Sequence, residues 1–274
     1  MKSVTEGRSK VIDLMYHNFS HAVDSLQFLG YEIKTGKIAS CVTNTELLGM
    51  AIACLCMGIG YRDDDMAMSA SGDIGHRMVN SDKSTRTTRS CAVAVKILSE
   101  KESNILKSLK EAELKDVWNW IILLITNTDL AYHFKVIASA NRSIKEGSVN
   151  WTDQGQKLTN MTLLLKAASV AQICRPREIC EKWHLLIREE MLLDKRHQTP
   201  EDFLESIDNL EKRARNTRMR DQIAYAGLIA MPILKAVSGI CMNLAPMYGA
   251  AETNLQRWKD HFFCPPEPKL KSYM

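Results

Sequence analysis

Apolar residues recur every three to four positions along almost the whole chain, and strand-like alternation is nearly absent. Residues 11–30 show the pattern first. Val11, Ile12, Met15, Phe19, Ala22, Val23, Leu26 and Leu29 fall on one broad stripe, as in an amphipathic helix. Residues 44–57 are small and apolar on nearly every side, which predicts a central, buried helix. Further helices are predicted at 91–98, 100–109, 111–138, 160–175, 177–193, 222–244 and 252–262. Pro176 stops the fourth of these by removing an amide donor and clashing with the preceding turn. Thr199-Pro200-Glu201-Asp202 starts another: a threonine cap, a proline where no amide is needed and an acid behind them. That helix runs to about residue 215. Pro232 is expected to kink the 222–244 helix. The fold class is all-α.

The 274 residues, 45% of them hydrophobic, suffice for one substantial core or two small ones. No linker-like stretch divides them. Residues 11–262 are read as a single domain between a tail at 1–10 and another at 263–274. Within it, 61–90 reads as loop-rich: three aspartates, several serines and threonines, Gly72 and Gly75, with little periodicity. A net charge of +4, from 36 basic and 32 acidic side chains, demands neither nucleic acid nor a membrane surface. The apolar run at 118–125 is too short to span a bilayer, and no apolar segment follows the charges of the N-terminus as in a secretory signal. Five of the eight cysteines sit in apolar helical surroundings, which favours reduced thiols and a cytoplasmic location over disulfides.

Chemistry-bearing residues are sparse. His17 and His21, four apart, would share one face of a helix and could both meet a metal. Two imidazoles alone make a weak site, and the hard divalent ions of phosphoryl chemistry also want carboxylates. Asp63, Asp64 and Asp65 could attract magnesium, though an exposed acidic loop is the plainer reading. The five lysines and arginines in 212–220 read as a solvated helical face. There is no glycine-rich phosphate loop, zinc cysteine cluster or nucleophile elbow.

Several short motifs occur in a familiar order. They are Tyr16-His17-Asn18 with His21-Ala22, Glu46-Leu47-Leu48 through Cys56, Ile97-Leu98, Asn104-Ile105, and Thr128-Asp129-Leu130-Ala131 with His133. Leu165-Lys166-Ala167-Ala168, Pro176, Glu189-Glu190, Ile229-Ala230-Met231-Pro232 and Trp258 follow. Together they resemble the helical, HD-type catalytic domain of the class I 3',5'-cyclic-nucleotide phosphodiesterases over residues 11–262, with the usual N-terminal helices missing or shortened.

That family uses zinc and magnesium, held by two histidines and two aspartates, to make a bridging hydroxide that attacks the cyclic phosphate. By position, the resemblance implies that His17 is the general acid and His21 the first metal ligand. The His-Asp pair then falls on Met57 and Gly58, the next histidine on Tyr61, and the distant aspartate on Ser169. Two further histidines near the substrate fall on Arg89 and Ser90. Gln222, ten residues before Pro232, takes the place of the purine-contacting glutamine, and Tyr225 that of a phenylalanine stacked on the base. The implied protein is a metal-site-deficient relative, without a resident cofactor. It would act as a binding or scaffold module for a purine nucleotide or another aromatic small molecule, and as a homo-oligomer if the shortened N-terminal side uncovers apolar surface. Three alternatives stay open: an active phosphodiesterase, metal-independent chemistry using His17, and a purely structural or oligomerisation protein.

Overall fold

Thr43 and Glu46 fix the start of one helix and tie it to another. The Glu46 amide donates to Thr43 Oγ1 (3.2 Å), and Glu46 Oε2 accepts from the Thr43 amide (2.7 Å), a reciprocal cap. The same carboxylate accepts from Lys157 Nζ at 2.9 Å, with both side chains nearly buried. The computed structural model describes residues 14–60, 85–195, 220 and 222–263. Among these, regular structure is helical: α1 (Phe19–Thr35), α2 (Asn44–Cys56), α3 (Thr85–Ser99), α4 (Glu111–Asn127), α5 (His133–Lys145), α6 (Gln154–Ser169), α7 (Arg177–Lys195), α8 (Gln222–Ile240) and α9 (Ala245–Phe263). The seven cysteines in these segments are free thiols. The helix start at Thr199, the acidic run at 63–65 and most of the basic run at 212–220 lie outside the described residues, as does Tyr61.

The central helix is α6, not α2. Ten of its residues are buried, among them Leu163, Leu164 and Leu165, each contributing roughly 1.5–3 kcal/mol by leaving water. Three of its buried polar groups find partners in neighbouring segments, while the Thr162 hydroxyl has none among the described residues. Besides Lys157, Asn160 Nδ2 donates to the Asn150 carbonyl (3.4 Å), and Lys166 Nζ donates to the carbonyls of Thr128 (2.7 Å) and Asp129 (3.1 Å).

That last contact explains why the single helix expected over 111–138 is two. α4 ends at Asn127, and the chain turns by 78° into Leu130–Lys145. Asp129 caps the new segment by accepting from the Ala131 amide (2.7 Å), and Thr128 Oγ1 closes on the Ile125 carbonyl (2.6 Å). Lys166 takes the two carbonyls left at the break. Two other expectations also shift. α3 begins at residue 85, inside the span read as loop-rich. Residues 100–110 form turns rather than a helix, with Asn104 Oδ1 accepting from the Leu106 amide (3.0 Å) in the local bonding that competes with helix.

α2 and α4 approach closely. A Cβ at Gly49 would lie 2.7 Å from the Trp120 Cβ, so only glycine admits this crossing. α8 is long and apolar enough to cross a bilayer by length and composition, with a mean hydropathy of 1.7. Here Ile233, Leu234, Ala236 and Val237 bury it in the core.

Candidate functional site

Asn18 organises the entrance to α1. Its backbone is extended, its Oδ1 accepts from the His21 amide (3.1 Å), and its Nδ2 donates to the carbonyls of Leu14 (3.1 Å) and Met15 (2.9 Å). This N-cap leaves His17 outside the helix and places His21 in the first turn. The two histidines therefore do not share a helical face, as their spacing had implied. The turn still brings their rings together, with centroids 6.3 Å apart and planes at 86°.

Glu190, from α7, completes this corner. Its Oε2 accepts from the amides of Tyr16 (2.7 Å) and His17 (2.9 Å), while Oε1 pairs with His17 Nδ1. Burial alone would raise the Glu190 carboxyl. The His17 ring and the two amides outweigh burial and hold its pKa below the ordinary carboxylate value. His21 has the opposite fate. Its ring stacks at a tilt on Tyr16 (4.2 Å) and meets Trp183 at 5.7 Å. Burial, then the charge of His17, lower its pKa to about 4, so His21 is neutral near pH 7. Its Nδ1 is buried without a hydrogen-bond partner. Tyr16, 7% exposed, donates its hydroxyl to the Ser169 carbonyl (3.3 Å), which ties the entrance to the end of α6.

These groups border a cavity of about 500 Å³ whose wall includes His17, His21, Met57, Gly58, Ser169 and Tyr225. Met57 caps the C-terminus of α2 and leads into Gly58. Ser169 ends α6 and donates its hydroxyl to the Lys166 carbonyl (2.8 Å). Ser90 is buried and donates to the carbonyl of Ile59 (2.9 Å), another wall residue. Arg89 lies against Gly60. Tyr225, 42% exposed, opens onto the cavity, whereas Gln222 is buried and is not part of the wall. Among the described residues no three histidine, cysteine or acidic side chains are grouped to hold a metal.

The placement of Tyr225 depends on a local departure from α-helix. Pro232 has no amide, so it cannot bond the carbonyl four residues back, that of Leu228. The helix responds with a π-turn at Ala226–Ala230, in which the Met231 amide reaches the Ala226 carbonyl. The ring of His133, a residue 1% exposed at the start of α5, lies near the Leu228 carbonyl. The expected kink at Pro232 is thus a widened turn before it. Burial lowers the His133 pKa, and nearby Lys166 lowers it further. Burial likewise brings Lys166 to about 8, against the pull of Asp129.

Sequence reasoning missed Glu190 and His133 as parts of the site. Both belong to motifs that carry the resemblance. Yet 173 residues separate Glu190 from His17, and nothing local marks either as a partner. Proline four residues after a carbonyl was the available signal for His133.

The sequence model of the 3'5'-cyclic nucleotide phosphodiesterase family matches residues 16–251. The chain is 22% identical over 245 residues to the "cGMP-specific 3',5'-cyclic phosphodiesterase" of Drosophila melanogaster, covering 89% of this chain and 22% of that protein. The Drosophila virilis protein of the same name is also 22% identical over 245 residues, and 27% of its length is covered. The chain therefore spans only a minor part of the length of these curated relatives. Among solved structures, the phosphodiesterase domain of the RhoPDE fusion protein from the choanoflagellate Salpingoeca rosetta superposes with a TM-score of 0.77 at 23% identity. That match covers 91% of this chain and 78% of the other, and the two share an all-α fold.

Proposed function

Because the chain belongs to the 3'5'-cyclic nucleotide phosphodiesterase family, we propose that it is a metal-site-deficient member. In this reading it binds a purine nucleotide or another flat aromatic molecule and does not hydrolyse cyclic nucleotides. The observation that carries the reading is the donor set of one cavity wall: His21, Met57, Gly58 and Ser169. One imidazole, one soft thioether, one residue without a side chain and one hydroxyl already donating to Lys166 do not fit a pair of hard divalent cations. The orphaned Nδ1 of His21 offers a nitrogen but no carboxylate beside it, and Glu190 is engaged by His17 and Tyr16. The HD-type label rests on a histidine-aspartate pair that this chain replaces with Met57-Gly58.

Support for binding comes from α8. Tyr225 presents a ring to the cavity, and a ring of this kind stacks on a flat base. The names of the curated relatives make guanine nucleotides the first class to try. The test is metal analysis of the purified chain, with cyclic-nucleotide hydrolysis assayed in zinc, magnesium and manganese. Expected are no stoichiometric metal and no turnover, and a stoichiometric metal with turnover overturns the reading. Thermal-shift screening with cyclic and linear purine nucleotides should show a shift that weakens in Y225A. No shift at about millimolar ligand, a loose affinity, removes the purine pocket.

One observation favours a second reading. The His17–Glu190 pair has the geometry of an oriented acid–base group, which metal-independent chemistry on a bound ligand would use. Ligand turnover in the native chain that disappears in H17Q would establish it. Unchanged ligand after prolonged incubation would exclude it.

A further inference from the structure

A second cavity, of about 470 Å³, opens where α5, α8 and α9 meet. Ile144, Met231 and Pro232 form its apolar part, Tyr248 stands at one side, and Lys145 and Lys235 belong to its wall. Among the described residues no carboxylate lines it. Burial, then the nearby Glu252 carboxylate, raise the pKa of the Tyr248 phenol. Neither lysine has an ion pair among the described residues, and both are exposed. The volume is within the range of small-molecule sites. Two unpaired cations over an apolar floor complement a ligand with an anionic head, carboxylate or phosphate, and an apolar body.

α8 contributes residues to both this groove and the first cavity. Tyr225 opens onto the first, and Gly227, within the π-turn, lines the second. Two residues along a helix turn through roughly 200°, so the same turn faces both spaces. The chain departs from α register between the two spaces, a feature frequent at functional sites. Ligand packed against Gly227 and Met231 would hold that turn in one arrangement.

We infer that this groove is a second ligand site for a small amphiphilic anion, and that its occupancy fixes the position of Tyr225 in the first cavity. Binding in the groove stands independently of the proposed function; the link to Tyr225 rests on that reading.

The test uses the fluorescence of 8-anilinonaphthalene-1-sulfonate on the full chain, competed by decanoate, decyl phosphate and inorganic phosphate. Two groove variants, N141W and K145E/K235E, alter exposed positions, and Y225A reports on the first cavity. Decanoate or decyl phosphate should displace a saturable probe. Displacement should weaken at least about tenfold in K145E/K235E, through loss of charge-assisted contacts, disappear in N141W and persist in Y225A. Unchanged displacement in both groove variants overturns the site. Loss in Y225A instead places the ligand in the first cavity and also overturns it. Inorganic phosphate competing as well as decyl phosphate overturns the amphiphile assignment. For the coupling, decanoate should slow amide hydrogen exchange across residues 223–231. Groove binding without that slowing removes the link to Tyr225 and leaves both the groove site and the purine test standing.

Discussion

Glu32 is fully buried on α1, and neither of its carboxylate oxygens has a hydrogen-bond partner. Burial pushes its pKa well above the usual carboxylate range, and its charge would in turn raise the buried thiols of Cys54 and Cys174 further than burial alone does. A folded pKa above the unfolded one means the native state keeps a proton that the unfolded chain releases. Glu32 therefore adds no pH-linked cost below the unfolded value, roughly 4.3, and lowers stability further as pH rises. E32Q should flatten this decline and raise the urea midpoint at about pH 8 relative to the native sequence; an unchanged pH profile would show that Glu32 has found a partner. His21 acts at the other limb. Its folded pKa of about 4 lies below the unfolded 6.5, so the unfolded chain takes up the proton first. Stability should be lost as pH falls from about 6.5 towards 4, and the loss should shrink in H21F when unfolding is followed by tryptophan fluorescence. At this scale the sequence was legible where residues are neighbours. His17, His21 and Asn18 were read together because one turn holds them. Glu190 escaped because a carboxylate contacting from α7 leaves no trace near residue 17.

The helices were legible where their polar faces point to water and obscure where they do not. α6 carries Lys157, Asn160, Thr162 and Lys166 in the core, so its sequence does not look like the most buried helix of the fold. α4 and α5 were merged because the apolar period runs through Thr128 and Asp129 without a glycine or proline. The break depends instead on Lys166 arriving from another helix. α8 shows the same dependence. The buried His133 ring lies near the Leu228 carbonyl that Pro232 cannot serve, so H133L should destabilise by about 0.5–1.5 kcal/mol, the net worth of one hydrogen bond. P232A returns an amide, and the penalty of H133L should shrink markedly in that background. A double-mutant cycle from chemical denaturation checks this, and strict additivity would refute the contact. The α2–α4 crossing gives a simpler case. G49A forces a methyl against Trp120 and should cost about 1–3 kcal/mol as overpacking, measured the same way.

For the molecule as a whole, the family fold is kept, and we propose that one wall of its cavity has changed character. Helix periodicity and motif order sufficed for the all-α architecture. They could not say that His21, Met57, Gly58 and Ser169 would line one space, since that follows from how α1, α2 and α6 converge. The convergence makes a whole-molecule prediction. S169D alone places a carboxylate at the end of α6 without a cation and should cost about 1–3 kcal/mol. In M57H/G58D/S169D, zinc should raise the thermal midpoint by binding the native state, while the native sequence stays unmoved by zinc. A zinc-dependent rise in the native sequence would contradict the proposed loss of the metal site. The π-turn has a different kind of consequence, one for inheritance. It amounts to one residue more than an α-helix needs, so deleting a single codon within 226–230 removes the widened turn, with Pro232 still lacking an amide. That deletion would swing Gln222 and Tyr225 by roughly 100° relative to the buried half of α8, leaving Ile233, Leu234 and Val237 where they are. The aromatic face of the cavity thus lies three nucleotides from being turned away, and three from being restored. A lineage could turn the Tyr225 face of this cavity in or out in one step.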